Sequence, residues 1–176
     1  MKINAYKNHL PTIHESAYID DSAKIIGDVI VGKDSSIWAM TTMRGDVAKI
    51  TIGERTNIQE GCILHGSPKC DFYKDDFPVV IGDDVSIGHG VILHGCKIGD
   101  KCLIGIGTII LDGAEIESEI IIAAGSLVPP NKKLQSGYLY VGSPVKQMRA
   151  LTETEKKHLA FNADYYLKLK NDFLNP

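Results

Sequence analysis

In VSIGHGVILHGCKIG, residues Val85 to Gly99, two histidines stand five positions apart, His89 and His94, and a third, His65, lies upstream in GCILHGSP. Helical metal motifs space histidines four apart so that both share one helix face. A spacing of five, set among Ile-Gly and Val-Ile steps, is a different pattern. Working outward, aliphatic residues recur every six positions: Ile13, Ile19, Ile25, Val31, Ile37 and Met43, then Ile52, Ile58 and Leu64. The count resumes at Ile81, Ile87 and Leu93 and runs on through Ile98, Ile104, Ile110, Ile116, Ile122 and Val128. Four residues after most of these comes a small or β-branched residue, among them Val47, Cys62, Val91 and Cys102; Lys97 and Ile120 fit less well.

A period of six matches neither an amphipathic helix nor an alternating strand. It is the hexapeptide signature of a parallel β-helix, in which each unit makes a short strand and a corner. Three units close one triangular coil, with the first residue pointing inward and the fifth filling the space beside the corner. Eighteen units predict about six coils, which stack at the strand spacing of ~4.8 Å and bury a continuous core. The prism is expected over residues 1–135. The polar segment GSPKCDFYKDDFPVV interrupts it as an excursion over 66–80, and an irregular link is expected over 136–151. In 152–174, Thr152 and Glu155 predict a capping box. Leu159, Ala163, Tyr166 and Phe173 predict an apolar stripe that packs a C-terminal helix on the prism.

The totals agree with one such domain. The chain has 176 residues, 44% hydrophobic and 23% charged, and a net charge of −3, so it carries no basic footprint for nucleic acid. No apolar run approaches the ~20 residues of a membrane span, and the N-terminus has no apolar signal region. Four cysteines without a CxxC pair predict a reduced, cytoplasmic protein. Cys62 and Cys102 fall at inward positions, whereas Cys70 and Cys96 are expected to be exposed.

Counting units places the histidines. Met43, Leu64 and Leu93 begin third units of successive coils, so Arg44, His65 and His94 stack in one outward column at roughly 4.8 Å intervals. Two imidazoles at that spacing can close on one ion at ~2.0–2.1 Å. His89 follows Ile87 on the neighbouring face, with Glu60 one coil away and near it. It can join the other two only if another copy presents its second face to the first copy's third face. Contacts of that head-to-tail kind close into rings, and threefold closure suits a triangular prism. The expectation is a homotrimer with a metal at each interface, held by His65 and His94 of one chain and His89 of the next. Three imidazoles leave an open fourth position, as in catalytic zinc sites, and also suit ferrous iron or cobalt. His9, His14 and His158 are expected to be surface residues.

The motifs MRGDV, TNIQEGCILH, IGHGVILHGC and GYLYVGSPVKQMR resemble those of the γ-class carbonic anhydrases, over nearly the whole chain. The resemblance implies a left-handed β-helix, a hand that periodicity does not give and that runs against the usual right-handed crossover. It implies a trimer in which His65, His89 and His94 bind zinc, and a lyase in which metal-bound hydroxide attacks CO2 to give bicarbonate. By the same resemblance Arg44 and Asp46 link subunits and a bound anion, Asn57 and Gln59 hold the nucleophile's surroundings, and Tyr166 lies near the metal-bound water. One departure matters: Val47 stands where the archetypal member has a glutamate implicated in proton transfer. The excursion offers Asp71, Asp75 and Asp76 instead of that member's second glutamate, which implies slow proton removal. Three other functions fit the same sequence: a metal-dependent thioesterase or other hydrolase on the same site, a catalytically weak metal-binding trimeric scaffold, and an acyltransferase. The last usually needs one histidine and no metal triad.

Overall fold

In the computed structural model, which describes residues 2–175, the six-residue ladder winds into a parallel β-solenoid followed by one helix. Strands are mostly two or three residues long, and all but the last pair in parallel with the strand one coil away. On the first face Ile13, Val31, Ile52, Ile81, Ile98, Ile116 and Leu134 stack in register. The second face carries Ile19, Ile37, Ile58, Ile87, Ile104, Ile122 and Tyr140. Ile3, Ile25, Met43, Leu64, Leu93, Ile110 and Val128 form the third. The ladder read from the sequence thus gains three rungs, Ile3, Leu134 and Tyr140, and each face has seven. Most of these side chains are fully buried, and each such aliphatic contributes roughly 1.5–3 kcal/mol. Coil-to-coil hydrogen bonding satisfies the backbone that the burial would otherwise strand.

Four local expectations change. Residues 136–151 are not an irregular link: Tyr138–Val141 continues the second face, and Lys146–Ala150 folds back antiparallel against it. The ladder hides there because its next rung is Tyr140, eighteen residues after Ile122 but aromatic rather than aliphatic. The excursion leaves after His65 and rejoins earlier than expected, at Val79, with its neck closed by a bridge between Ser67 and Phe77. Val47 does not face the core but is 39% exposed. Thr42–Ile52 is one long strand that bulges after Gly45, so Ile50, paired with Val29, takes the inward place. Cys96 is fully buried, not exposed. The unit from Leu93 to Ile98 is one residue short, so counting forward lands on Lys97 while the inward position belongs to Cys96. Burial pushes the Cys96 thiol up to about 12. Cys62 and Cys102 are buried as expected, and Cys70 is exposed.

The helix α1 (Glu153–Leu174) begins at the expected capping box: Thr152 accepts from the Glu155 backbone N–H, and the Glu155 carboxylate accepts from that of Thr152. It lies against the second face, where Trp38 packs its ring edge-on against Tyr166 and Phe173. Its buried side includes Leu159 and Ala163 but also Lys170, which is only 2% exposed. The Lys170 ammonium donates to the Ser16 carbonyl at 2.7 Å and to Asp34 at 2.9 Å, clamping the end of the helix to the prism. Among the described residues no helix is long and apolar enough to cross a membrane.

Candidate metal site

The third face brings Arg44, His65 and His94 into adjacent register, as the unit count predicts. His65 Nδ1 and His94 Nε2 face one another at 3.2 Å. Two nitrogens bound at ~2.0–2.1 Å to one tetrahedral zinc would stand about 3.3 Å apart, so the pair is already at ligand spacing. The outer nitrogens are held by carboxylates: His65 Nε2 lies 3.1 Å from Asp46 Oδ1, and His94 Nδ1 lies 2.9 Å from Asp112 Oδ1. An ionised carboxylate only accepts, and a neutral imidazole has one donor nitrogen and one acceptor. With both rings neutral and both carboxylates ionised, the protons sit on the outer nitrogens and two lone pairs face each other across 3.2 Å. That arrangement is repulsive unless an electrophile lies between them. Burial, reinforced by the Arg44 charge, holds the His65 pKa below its ordinary value despite the opposing hydrogen bond from Asp46.

The local fold explains how the carboxylates arrive. Asp46 sits where the strand Thr42–Ile52 bulges, which turns its side chain onto both His65 and Arg44. Burial works to raise its pKa, but the bonds from Arg44 and His65 outweigh that and hold the carboxyl below its usual range. Asp112 stacks one coil beyond Gly95. That glycine has φ +55°, and a Cβ added there would lie 2.1 Å from Asp112 Oδ1. Only glycine lets Asp112 lean back onto His94. Phe77, at the neck of the excursion, lies across Gly95 and Gly113. Asp112 was not foreseen in the sequence, although the stacking of Asp112 on Gly95, one coil on, was countable.

His89 lies on the corner after the second face, away from the pair. Its Nδ1 is 2.7 Å from Glu60 Oε2, the neighbour expected from the count, which directs the remaining lone pair to Nε2. Each of the three histidines is therefore backed by a carboxylate, the arrangement that orients imidazoles in metal centres. Within one chain no three His, Cys, Asp or Glu side chains among the described residues converge on a point that a metal could occupy. His9, His14 and His158 are exposed.

The other predicted residues divide. Arg44 pairs with Asp46 within the chain. Asn57 and Gln59 are both buried on the second face, where Gln59 Nε2 donates to Asn57 Oδ1 at 3.1 Å. Tyr166 is half-buried beside Trp38, and its pKa is raised first by burial and then by the charge of Glu60. That places it on the His89 side of the molecule. Beside the histidine column, Ile63 and Ile92 are exposed and in register with one another, with Ile109 and Leu127 continuing the stripe.

Comparison with known proteins adds three likenesses. The chain is 49% identical over 173 residues to Protein YrdA of Escherichia coli (strain K12), covering 98% of this chain and 94% of that protein. It is 39% identical over 159 residues to gamma carbonic anhydrase 2, mitochondrial, of Arabidopsis thaliana, covering 90% of this chain and 57% of that protein. A crystal structure of a hexapeptide transferase family protein from Anaplasma phagocytophilum superposes with a TM-score of 0.90 at 39% identity, over 97% of both chains. No family model matches.

Proposed function

Since the chain belongs to the γ-carbonic-anhydrase and hexapeptide-repeat superfamily, we propose that it is a carbonic-anhydrase-like metalloenzyme that hydrates CO2 at the interfaces of a homotrimer. The observation that carries this reading is the facing pair of ring nitrogens on His65 and His94, 3.2 Å apart, with the outer nitrogens tied to Asp46 and Asp112. Such a donor set fits a divalent cation, zinc first, with ferrous iron or cobalt also suited to imidazole ligands. His89 of a neighbouring chain would complete the set, with Glu60 fixing its tautomer. The exposed stripe of Ile63 and Ile92 beside the histidine column is the kind of apolar strip that a neighbouring copy would cover.

A cation held there supplies Lewis acidity that brings the pKa of water down to ~7. Asp46, Asp112 and Glu60 orient the three imidazoles and raise their basicity as ligands. Arg44, whose guanidinium is fixed by Asp46 next to His65 in the column, offers the positive charge for a product anion. Gln59, immobilised by Asn57, offers a fixed dipole on the neighbouring face. Tyr166, half-buried beside Trp38, lies on the His89 side of the molecule. The unmatched shuttle glutamate at Val47 predicts that proton removal limits the rate. Three buried thiols and no disulfide support a reduced, cytoplasmic setting.

Acyl transfer, one form of the group transfer that the Anaplasma relative's family name indicates, needs no carboxylate-backed trio of histidines, and a hydrolase or a bare scaffold would share the same metal. Metal analysis of protein purified without oxygen, with stopped-flow CO2 hydration and a thioester panel on the same samples, tests the reading. Stoichiometric metal and CO2 hydration, both lost in His65→Ala, are expected. Full metal with no hydration would reduce the protein to a scaffold or, if thioesters are cleaved, to a hydrolase.

A further inference from the structure

His65, His94 and Asp112 are each followed by a glycine: Gly66, Gly95 and Gly113. All three glycines open onto one residue of the excursion, Phe77. A Cβ added at Gly66 would lie 2.4 Å from the Phe77 carbonyl oxygen, at Gly95 2.6 Å from Phe77 Cβ, and at Gly113 3.1 Å from Phe77 Cε1. Coil-to-coil bonds fix this corner of the prism. The Gly95 N–H donates to the His65 carbonyl at 2.9 Å, and the Gly113 N–H donates to the Gly95 carbonyl at 2.8 Å. Phe77 is held over the corner by paired backbone bonds with Ser67, at 2.8 and 3.2 Å, and by the Tyr73 ring, edge-on at 5.3 Å. The space of the missing Gly95 side chain is thus taken by two groups, Asp112 Oδ1 and Phe77. A cavity beside the ring, lined also by Asp76, Pro78 and Lys97, leaves it room to withdraw.

We propose that Phe77 is a positioning residue for the metal site: by filling the corner beside Asp112 it confines that carboxylate to His94 Nδ1. The proposal rests on the metalloenzyme reading above and gives the 66–80 excursion a part in it. The Asp112 side chain is 22% exposed, so water competes with His94 for its oxygens, and a bond shared with water holds the imidazole less firmly. Asp112 Oδ1 can leave His94 by turning into the corner or by being hydrated from it, and Phe77 occupies the space that both need. An imidazole that loses its fixed carboxylate is a less oriented and weaker ligand. Asp46, which backs His65 from the bulge and is bonded to Arg44 as well, has a second anchor that Asp112 lacks at His94. Displacing the neck of the excursion should therefore be felt first at His94, as weaker metal binding.

The test is a double-mutant cycle on the full chain, read as zinc affinity by competition with a chelator. Phe77→Ala should weaken zinc binding about tenfold, the lower end of what losing a carboxylate behind a ligand costs. In an Asp112→Ala background the same substitution should cost less than about twofold, because nothing is left to confine. In an Asp46→Ala background it should cost the full factor again. A residue that only steadies the fold would weaken binding equally in all three. Phe77→Leu, which keeps bulk over Gly95, should recover most of the loss. A second readout needs no metal: in zinc-free protein with 15N-labelled histidine, the His94 ring N–H should exchange with water about tenfold faster in Phe77→Ala. Should that variant fail to fold, Phe77→Val removes the ring and takes its place in both measurements. Unchanged affinity and exchange, or an equal loss with and without Asp112, overturns the proposal. If the wild type binds no zinc, the metalloenzyme reading fails, while His94 exchange still decides whether Phe77 holds Asp112 in place.

Discussion

Mixing two inactive variants separates a shared metal site from one contained in a single chain. Each chain carries a pair, His65 and His94 at 3.2 Å on the third face, and a single histidine, His89, on a different corner. His65→Ala destroys the pair but leaves the single; His89→Ala does the reverse. In a head-to-tail trimer an interface works when the face comes from a His89→Ala chain and the corner from a His65→Ala chain. With equimolar chains exchanged at random, about a quarter of interfaces meet that condition. Each variant alone should therefore hydrate CO2 at background level and bind metal weakly. The mixture, unfolded and refolded together, should recover about a quarter of wild-type activity and metal. Stopped-flow rates and metal analysis read the result, and native mass spectrometry of a mass-tagged chain verifies that subunits have exchanged. Verified mixed trimers with no more activity than their parents would refute the shared site and the trimer built on it.

Other outcomes follow from single contacts. Gly95→Ala puts a Cβ where Asp112 Oδ1 now lies, 2.1 Å away; it should detach Asp112 from His94 and weaken metal binding about 10- to 100-fold, as measured by competition with a chelator. Lys170→Ala removes two charge-assisted bonds to Ser16 and Asp34 and should cost about 2–3 kcal/mol in chemical denaturation, whereas an unchanged midpoint would mean that the clamp is idle. Acid should loosen the start of α1. Glu155 has its pKa lowered to about 2 by Arg149 and the Thr152 cap, from an ordinary 4.5. Its contribution is present above pH 4.5 and is lost as pH falls toward 2. Circular dichroism should follow that loss, and Glu155→Gln should flatten it.

The core and the histidine column were legible in the sequence because both depend on counting. An inward residue every sixth position defines the faces, and once the faces are numbered, Arg44, His65, His94 and the Glu60–His89 pair have addresses. What escaped lay where counting slips. A five-residue unit swapped Cys96 for Lys97, and a bulge after Gly45 carried Val47 outward. An aromatic rung at Tyr140 disguised the last coil. Lys170 escaped for a different reason. A charged side chain on the buried side of a helix runs against its apolar period, and only the Ser16 carbonyl and Asp34, on the first coils of the prism, make its burial tolerable. Asp112 shows that an absent side chain can carry information, since Gly95 is what allows it to reach His94.

The strand Lys146–Ala150 runs against the direction of every other rung of its sheet and is exposed along its length. A stack of identical parallel coils is a template at both ends, and a bare final coil would invite another molecule to continue it into a fibril. By folding its own tail back over Tyr138–Val141, with Lys146 and Arg149 on the outer rim, the chain occupies that edge of the sheet. An edge so occupied is closed to a second molecule adding a coil on that face.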